Sequence, residues 1–581
     1  MTTNRARGLI VVAALAALAA LATGCQRSEP VAEQPAVAPA DAWAGIRDKF
    51  IEDRLASSPP FAVDSGRHEY DGKLPDWSKA GIAANIARLH ETRDAVAKFD
   101  ASRLDAALAF ERDYVIARID RELFWLESGE QPFTNPTYYL DGLNPSVYLT
   151  RDYAPLADRM RAYVAYAKAV PAAAGLIKEN LRLPLPRTFV ERAISGFAGY
   201  ASFFDADVPK IFASVDDAAL QADFRTANKA AADSMRDLAK FFEAQRATAT
   251  QGFALGAEKF AKMLAMTEGV TTPLAELEKI GRADLDRNLA AVKEACAKFA
   301  PGKSIPACFA KLNADKPKGG PVAAATEQLV ELRKFVIDRK VVSVPNDEQA
   351  LVREAPPYNR ANSAYIEIPG PFEKPLPAIY YIAPPDPTWS KADQLAYIPG
   401  KDDLLFTSVH EVWPGHFLNF LHANESKSMI GRLFVGYAFA EGWAHYTEEM
   451  MWDMGLDSGD AEAHVGQLSN ALLRNVRFMS AIGLHTGGMT VEQSERLFRE
   501  QAFQDPGNAR QQAARGTYDP AYLNYTMGKL MILKLRTDWT STRGGRGAWK
   551  DFHDAFLSYG GPPIPMVRKA MLGKDDDGVL F

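Results

Sequence analysis

Residues 407 to 420 read TSVHEVWPGHFLNF, and no regular helix can run through this stretch and still use its two histidines together. His410 and His416 are six residues apart, which on an unbroken helix leaves them roughly 120° out of phase. Pro414 stands four residues after His410, where its ring meets the carbonyl that its missing N–H would have bonded. Gly415 can adopt whatever backbone angles the distortion requires. The expectation is a kinked helix with a bulge that swings His416 back beside His410.

A His-Glu pair, a second His and a more distant Glu together form the donor set of a helix-borne zinc site. Beyond a short apolar run and the break ANESKS, the chain resumes as FVGYAFAEGWAHYTEEMMWDMG, whose Glu441, His445 and Glu448 share one helix face. The third ligand expected here is Glu441, giving two His, one Glu and an open position for water. Glu448, two turns on, is placed to orient a ligand imidazole from behind, and His445 can replace either. Glu411, next to the first ligand, stands where a general base would take a proton from the metal-activated water. The chemistry implied is metal-assisted hydrolysis with one zinc ion per chain, as in a metallopeptidase. His422 and His464 read as packing or surface residues.

The combination HExxPGH with a downstream EGWAxYxE resembles a large group of zincin-like bacterial proteins of unknown function, relatives of helical metallocarboxypeptidases and oligopeptidases. The resemblance runs from about Trp43 to Leu572 and includes DSGRHEYDGKLPDWS, FALGAEKFAKMLAMTEGV, GLHTGGMTVEQ and YLNYTMGKLMILKLR. It implies a mainly α, large helical zincin-like fold with a deep cleft and a small β-ribbon or sheet beside the metal helix. It also implies that Tyr525, in YTMG, donates to the transition-state oxyanion, with His485 as a second donor. Arg515 and Tyr518 are the candidates for contacting substrate, Arg515 by holding a carboxylate. In one place the chain departs from the pattern: Ala481 stands four residues before His485, where an orienting Asp is expected.

The rest of the chain supplies a setting. Residues 1–25 read as an export signal, with Arg5 and Arg7 ahead of an apolar run too short to span a membrane comfortably. The run ends in LATGC, which resembles a bacterial lipobox. Cys25 would then be the lipidated first residue, anchoring the chain to a membrane, and Gln26 resembles the outer-membrane sorting pattern. Residues 26–41, rich in Pro and Ala, read as a disordered tether. Such a chain would be a lipoprotein of the bacterial envelope facing the periplasm.

Apolar residues at three- and four-residue spacing over 42–345 predict a helical scaffold, with the runs NPTYYLDGLNPSVYL and SGFAGYASFFDADVP read as core. Cys296 and Cys308 flank a short loop in an exported protein, so a disulfide with a local effect is expected. Residues 346–581 form the predicted zinc-binding catalytic region. It opens with two strands, SAYIEI and AIYYI, one of which could pair with an extended peptide substrate. A net charge of −6 offers no basic field for nucleic acid. The sequence therefore points to a zinc peptidase acting on short peptides. Two other readings fit the same residues: a non-catalytic envelope binding lipoprotein on this scaffold, and a zinc hydrolase of a non-peptide amide.

Overall fold

The computed structural model describes residues 38–581. The signal segment 1–25, Cys25 and the tether up to residue 37 lie outside the described residues. The first helix, Pro39–Ser57, already takes in the last three residues of the expected tether. Proline in its first turn has a φ suited to a helix start, and Asp41 complements the exposed N–H groups there.

Helices make up most of the chain, as the spacing predicts. Ala218–Gln245 is representative: Asp217 accepts a hydrogen bond from the N–H of Leu220 at its start. Its buried residues Phe224, Ala227, Ala231, Met235, Leu238 and Phe242 recur every three or four positions. They pack against Arg187–Ala206 and Leu156–Asn180 in a core that absorbs both aromatic runs, with Tyr139, Phe197 and Phe204 fully buried. A second core joins Phe260, Leu285 and Val292 to Phe406, Val409, Leu472 and Ile532. It forms because the Leu274–Phe299 helix lies along Ala461–Thr486, where Gly281 leaves room for the Phe478 ring. The compositional change near residue 345 therefore falls within a shared core and does not separate two.

The described residues contain one sheet of three strands: β1 (Ala350–Glu354), β2 (Ala364–Glu367) and β3 (Ala378–Ile382). β3 lies in the middle, parallel to β1 with Arg353 opposite Tyr381, and antiparallel to β2 with Tyr365 opposite Tyr381. Two of these strands are the predicted ones. β1 was not anticipated, because its half-exposed ALVRE carries little apolar alternation. Full burial of β3 matches its unbroken apolar and aromatic run, and leaves β2 as an edge strand.

Cys296 and Cys308 are joined in a disulfide, as expected. The bond clips the end of Leu274–Phe299 to Ile305–Ala314, a short helix that contributes Pro306 and Phe309 to the wall of the main cleft. No described helix is long and apolar enough to cross a membrane.

Candidate metal centre

At the expected kink the chain forms two helices instead of one distorted helix. Lys401–Glu411 ends at Glu411, and a new helix, His416–Asn424, begins at the second histidine. Pro414 cannot continue the first helix, and Gly415 lies so close to its end that a Cβ would sit 1.8 Å from the His410 carbonyl oxygen. Only glycine fits there. The Gly415 N–H donates to Val409 O, and Trp443 Nε1–H donates to Pro414 O at 2.8 Å, fixing the break against the return helix Tyr437–Asp453. The two imidazoles meet nearly edge to face, with ring centroids 4.8 Å apart.

The return helix brings Glu441 to both of them. Its Oε2 lies 3.3 Å from His410 Nε2 and 3.2 Å from His416 Nε2, and the three ligand atoms fall within 4.8 Å of one another. Bonds of ~2.0–2.1 Å to a tetrahedral zinc would place neighbouring ligand atoms about 3.3 Å apart, and both separations from Glu441 Oε2 match this, with the two imidazole nitrogens within 4.8 Å of each other. Burial works against ionisation of Glu441, but His416 and His410 outweigh it and hold its carboxyl well below the usual range.

Behind the triad, Glu448 takes the orienting position expected of it. Its Oε1 accepts from His410 Nδ1 at 2.7 Å, which turns Nε2 toward Glu441, and Arg474 pairs with the same oxygen at 3.2 Å. His445 is fully buried on the far side, with Nδ1 3.1 Å from Glu448 Oε2, and is not part of the ligand cluster. It supports Glu448 and does not replace Glu441. Burial holds it neutral, with its pKa lowered to about 4.

Glu411 is only 6% exposed and borders the cleft, and its carboxylate has no hydrogen bond or ion pair to any described residue. Burial pushes its pKa up, while His410 and His416 pull it down. The cleft itself encloses about 1190 Å³. The metal cluster and residues 362–368, the edge strand β2 with its flanks, both line it.

Tyr525 reaches the site through a close helix crossing. Gly442 on the return helix and Gly528 on Asn524–Ser541 touch so tightly that a Cβ on either would overlap the other backbone. Tyr525, one turn before Gly528, thus lies with its ring 5.9 Å from that of His410 and nearly parallel to it. Its hydroxyl accepts from Arg515 Nη2 at 3.2 Å, leaving its own proton free to donate. Arg515 also donates to Tyr437 and pairs with Asp519, and it borders the cleft as expected.

Two expected site residues are placed elsewhere. His485 is 1% exposed and does not line the cleft: its Nε2–H donates to Gly516 O at 2.7 Å and its Nδ1 accepts from the Leu255 N–H at 3.3 Å. With both nitrogens occupied by backbone, it cannot serve an oxyanion. Ala481, one turn before, is fully buried, and no carboxylate is needed to orient the ring. Tyr518 packs edge-on against Phe189 and does not line the cleft. Arg474 and Arg477, in contrast, were missed by the sequence reading. Two arginines three apart in the largely apolar stretch ALLRNVRFMSAIGL signal buried charge, but not what that charge faces.

These features define a mainly helical protein with a His-His-Glu cluster and a free glutamate on one wall of a large cleft. The chain belongs to the family described as "Bacterial protein of unknown function (DUF885)", which matches residues 59–571. It is similar in structure to "a putative lipoprotein of unknown function from Shewanella oneidensis", with 25% identity and a TM-score of 0.73 over 91% of this chain and 99% of that one. It is also similar to "the putative lipoprotein from Colwellia psychrerythraea", with 16% identity and a TM-score of 0.77 over 92% and 99% of the two chains. No curated protein matches the chain.

Proposed function

We propose that the protein is a zinc-dependent peptidase that hydrolyses short peptides, tethered in the bacterial envelope through Cys25. The observation that carries this reading is Glu411, a buried carboxylate with no protein partner, beside His410 and opening onto the same cleft as His416 and Glu441. A carboxylate is costly to bury unpaired, and a pure binding protein has little use for one there. The donor set would hold zinc, which supplies a Lewis acid that polarises a carbonyl and acidifies water.

The remaining work falls to the chain's own residues. The open edge of β2 can align an extended peptide through backbone hydrogen bonds. Glu411 takes the proton from the attacking water and passes it to the leaving amine, while the Tyr525 hydroxyl donates to the carbonyl oxygen as charge develops on it. The lipobox-like LATGC and the lipoprotein descriptions of the two structural neighbours support the envelope location.

Metal analysis and a peptide-library digest of purified, zinc-loaded protein test the reading. Glu411→Gln is expected to keep zinc and lose several orders of magnitude in turnover, on the order of 10³-fold or more. His410→Ala, His416→Ala or Glu441→Ala should lose the metal. A Glu441→Ala protein with full zinc and full activity would remove Glu441 from the ligand set, and no cleavage of any peptide by the wild type would end the peptidase reading.

A further inference from the structure

Three arginines border the cleft near the metal cluster, and their partners differ. Arg474 is paired with Glu448, and Arg515 with Asp519. Arg477 forms no ion pair with any described carboxylate, although it is only 3% exposed. Its Nε donates to Gln512 Oε1 at 2.8 Å, and its guanidinium carbon lies 4.5 Å from the centre of the Tyr525 ring. Its two Nη groups bond no described residue, and the side chain borders the cleft. Arg515 adds a second unmet donor, since its Nη1 is buried without an acceptor.

Arg477 is a buried guanidinium without a counter-ion, which is expensive, and it and Arg515 both lie close to the Tyr525 ring, 4.5 and 5.6 Å from its centre, with donors to spare for an anion. Their planar donor forks suit a carboxylate. The position relative to the metal cluster defines which carboxylate fits. The Tyr525 ring links the two sites, 5.9 Å from the His410 ring and 4.5 Å from the Arg477 guanidinium carbon. At ~3.3–3.6 Å per extended residue, the arginines lie within about three residues of a bond held at the cluster.

We propose that Arg477 and Arg515 form the subsite for the C-terminal carboxylate of a peptide, so that the protein releases a C-terminal fragment of about one to three residues and does not cut internally. This rests on the peptidase reading above and adds to it the end of the substrate that is recognised. An Asp or Glu side chain offers the same carboxylate chemistry, and the test separates the two sources.

Zinc-loaded protein is given one peptide in three forms: the free acid, the C-terminal amide, and the amide with Glu as its last residue. The free acid should be cleaved with at least 10²-fold higher kcat/KM than either amide. Arg477→Gln should erase that preference, mainly through KM for the acid, while Arg477→Lys retains part of it and serves as a folding control. Acid and amide cleaved within threefold of each other would overturn the proposal. So would an acid-like rate on the Glu-terminated amide, or an equal loss on all three peptides in Arg477→Gln. A calorimetric titration of zinc-loaded Glu411→Gln, with and without Arg477→Gln, reads the subsite without turnover. Tighter binding of the acid that depends on Arg477, together with no cleavage of any of the peptides by the zinc-loaded wild type, would uphold the carboxylate subsite and end the peptidase reading. Equal binding of acid and amide would overturn the subsite whatever the activity.

Discussion

Replacing His485 with Phe separates the structural role found here from the catalytic one that the sequence pattern implies. The ring is stacked on Phe260, so Phe preserves its shape and packing but removes both hydrogen bonds, leaving the Leu255 N–H and the Gly516 carbonyl buried and unmet. At pH 7.5 this should cost roughly 2–4 kcal/mol of stability. Burial, the largest influence, lowers the His485 pKa from an ordinary 6.5 to about 4. The folded form therefore keeps the ring neutral while the unfolded chain takes up a proton below 6.5. That contribution is fully present above pH 6.5 and is lost as the pH falls toward 4, by about 2 kcal/mol at pH 5. The stability gap between wild type and His485→Phe should accordingly narrow by about 2 kcal/mol between pH 7.5 and pH 5. Urea titrations followed by tryptophan fluorescence at the two pH values measure it, and any loss of metal at low pH cancels in the comparison. Turnover per folded molecule should stay near wild type. A gap independent of pH, or a 10²-fold loss of kcat in a fully folded variant, would refute the reasoning.

Tyr525→Phe should lower kcat and kcat/KM together by on the order of 10²- to 10³-fold with zinc content unchanged, and wild-type turnover would remove the hydroxyl from the mechanism. Glu448→Ala should weaken zinc affinity about 10- to 100-fold without abolishing binding, since it takes the orienting acceptor from His410 Nδ1; a chelator competition that finds unchanged affinity would contradict this. Cys296 and Cys308 should resist alkylation until reduced, and Cys296→Ser should cost roughly 3 kcal/mol at most because the loop closed is short. Free thiols in the folded, unreduced protein would exclude the bond.

The metal cluster was legible in the sequence because its information is local. His410, Glu411 and His416 lie within seven residues around a Pro-Gly break that marks the histidines as a pair, and Glu441 and Glu448 lie two turns apart, where helical periodicity gives them a common face. Even there the backbone detail was not readable: Pro414 and Gly415 produce a break between two helices where a bulge within one was expected. The helical scaffold and β3 were legible because their signals are also local: burial on one helix face leaves a three- to four-residue period, and burial of a short strand on both faces leaves an unbroken apolar run. The far wall of the cleft had no such signal. The Ala461–Thr486 helix is buried almost all round, so nothing in its pattern distinguishes Arg477, which borders the cleft, from His485 two turns on, which bonds only backbone. Tyr518 and Tyr525 were assigned different roles by resemblance alone, since nothing in the local pattern tells them apart. They are separated by the contact of Gly442 with Gly528, two residues 86 positions apart whose missing side chains let the helices cross closely enough to carry Tyr525 to His410. A helix crossing depends on the shapes of two surfaces at once, and for that reason only the tertiary structure could decide which aromatic ring and which arginine face the metal ligands.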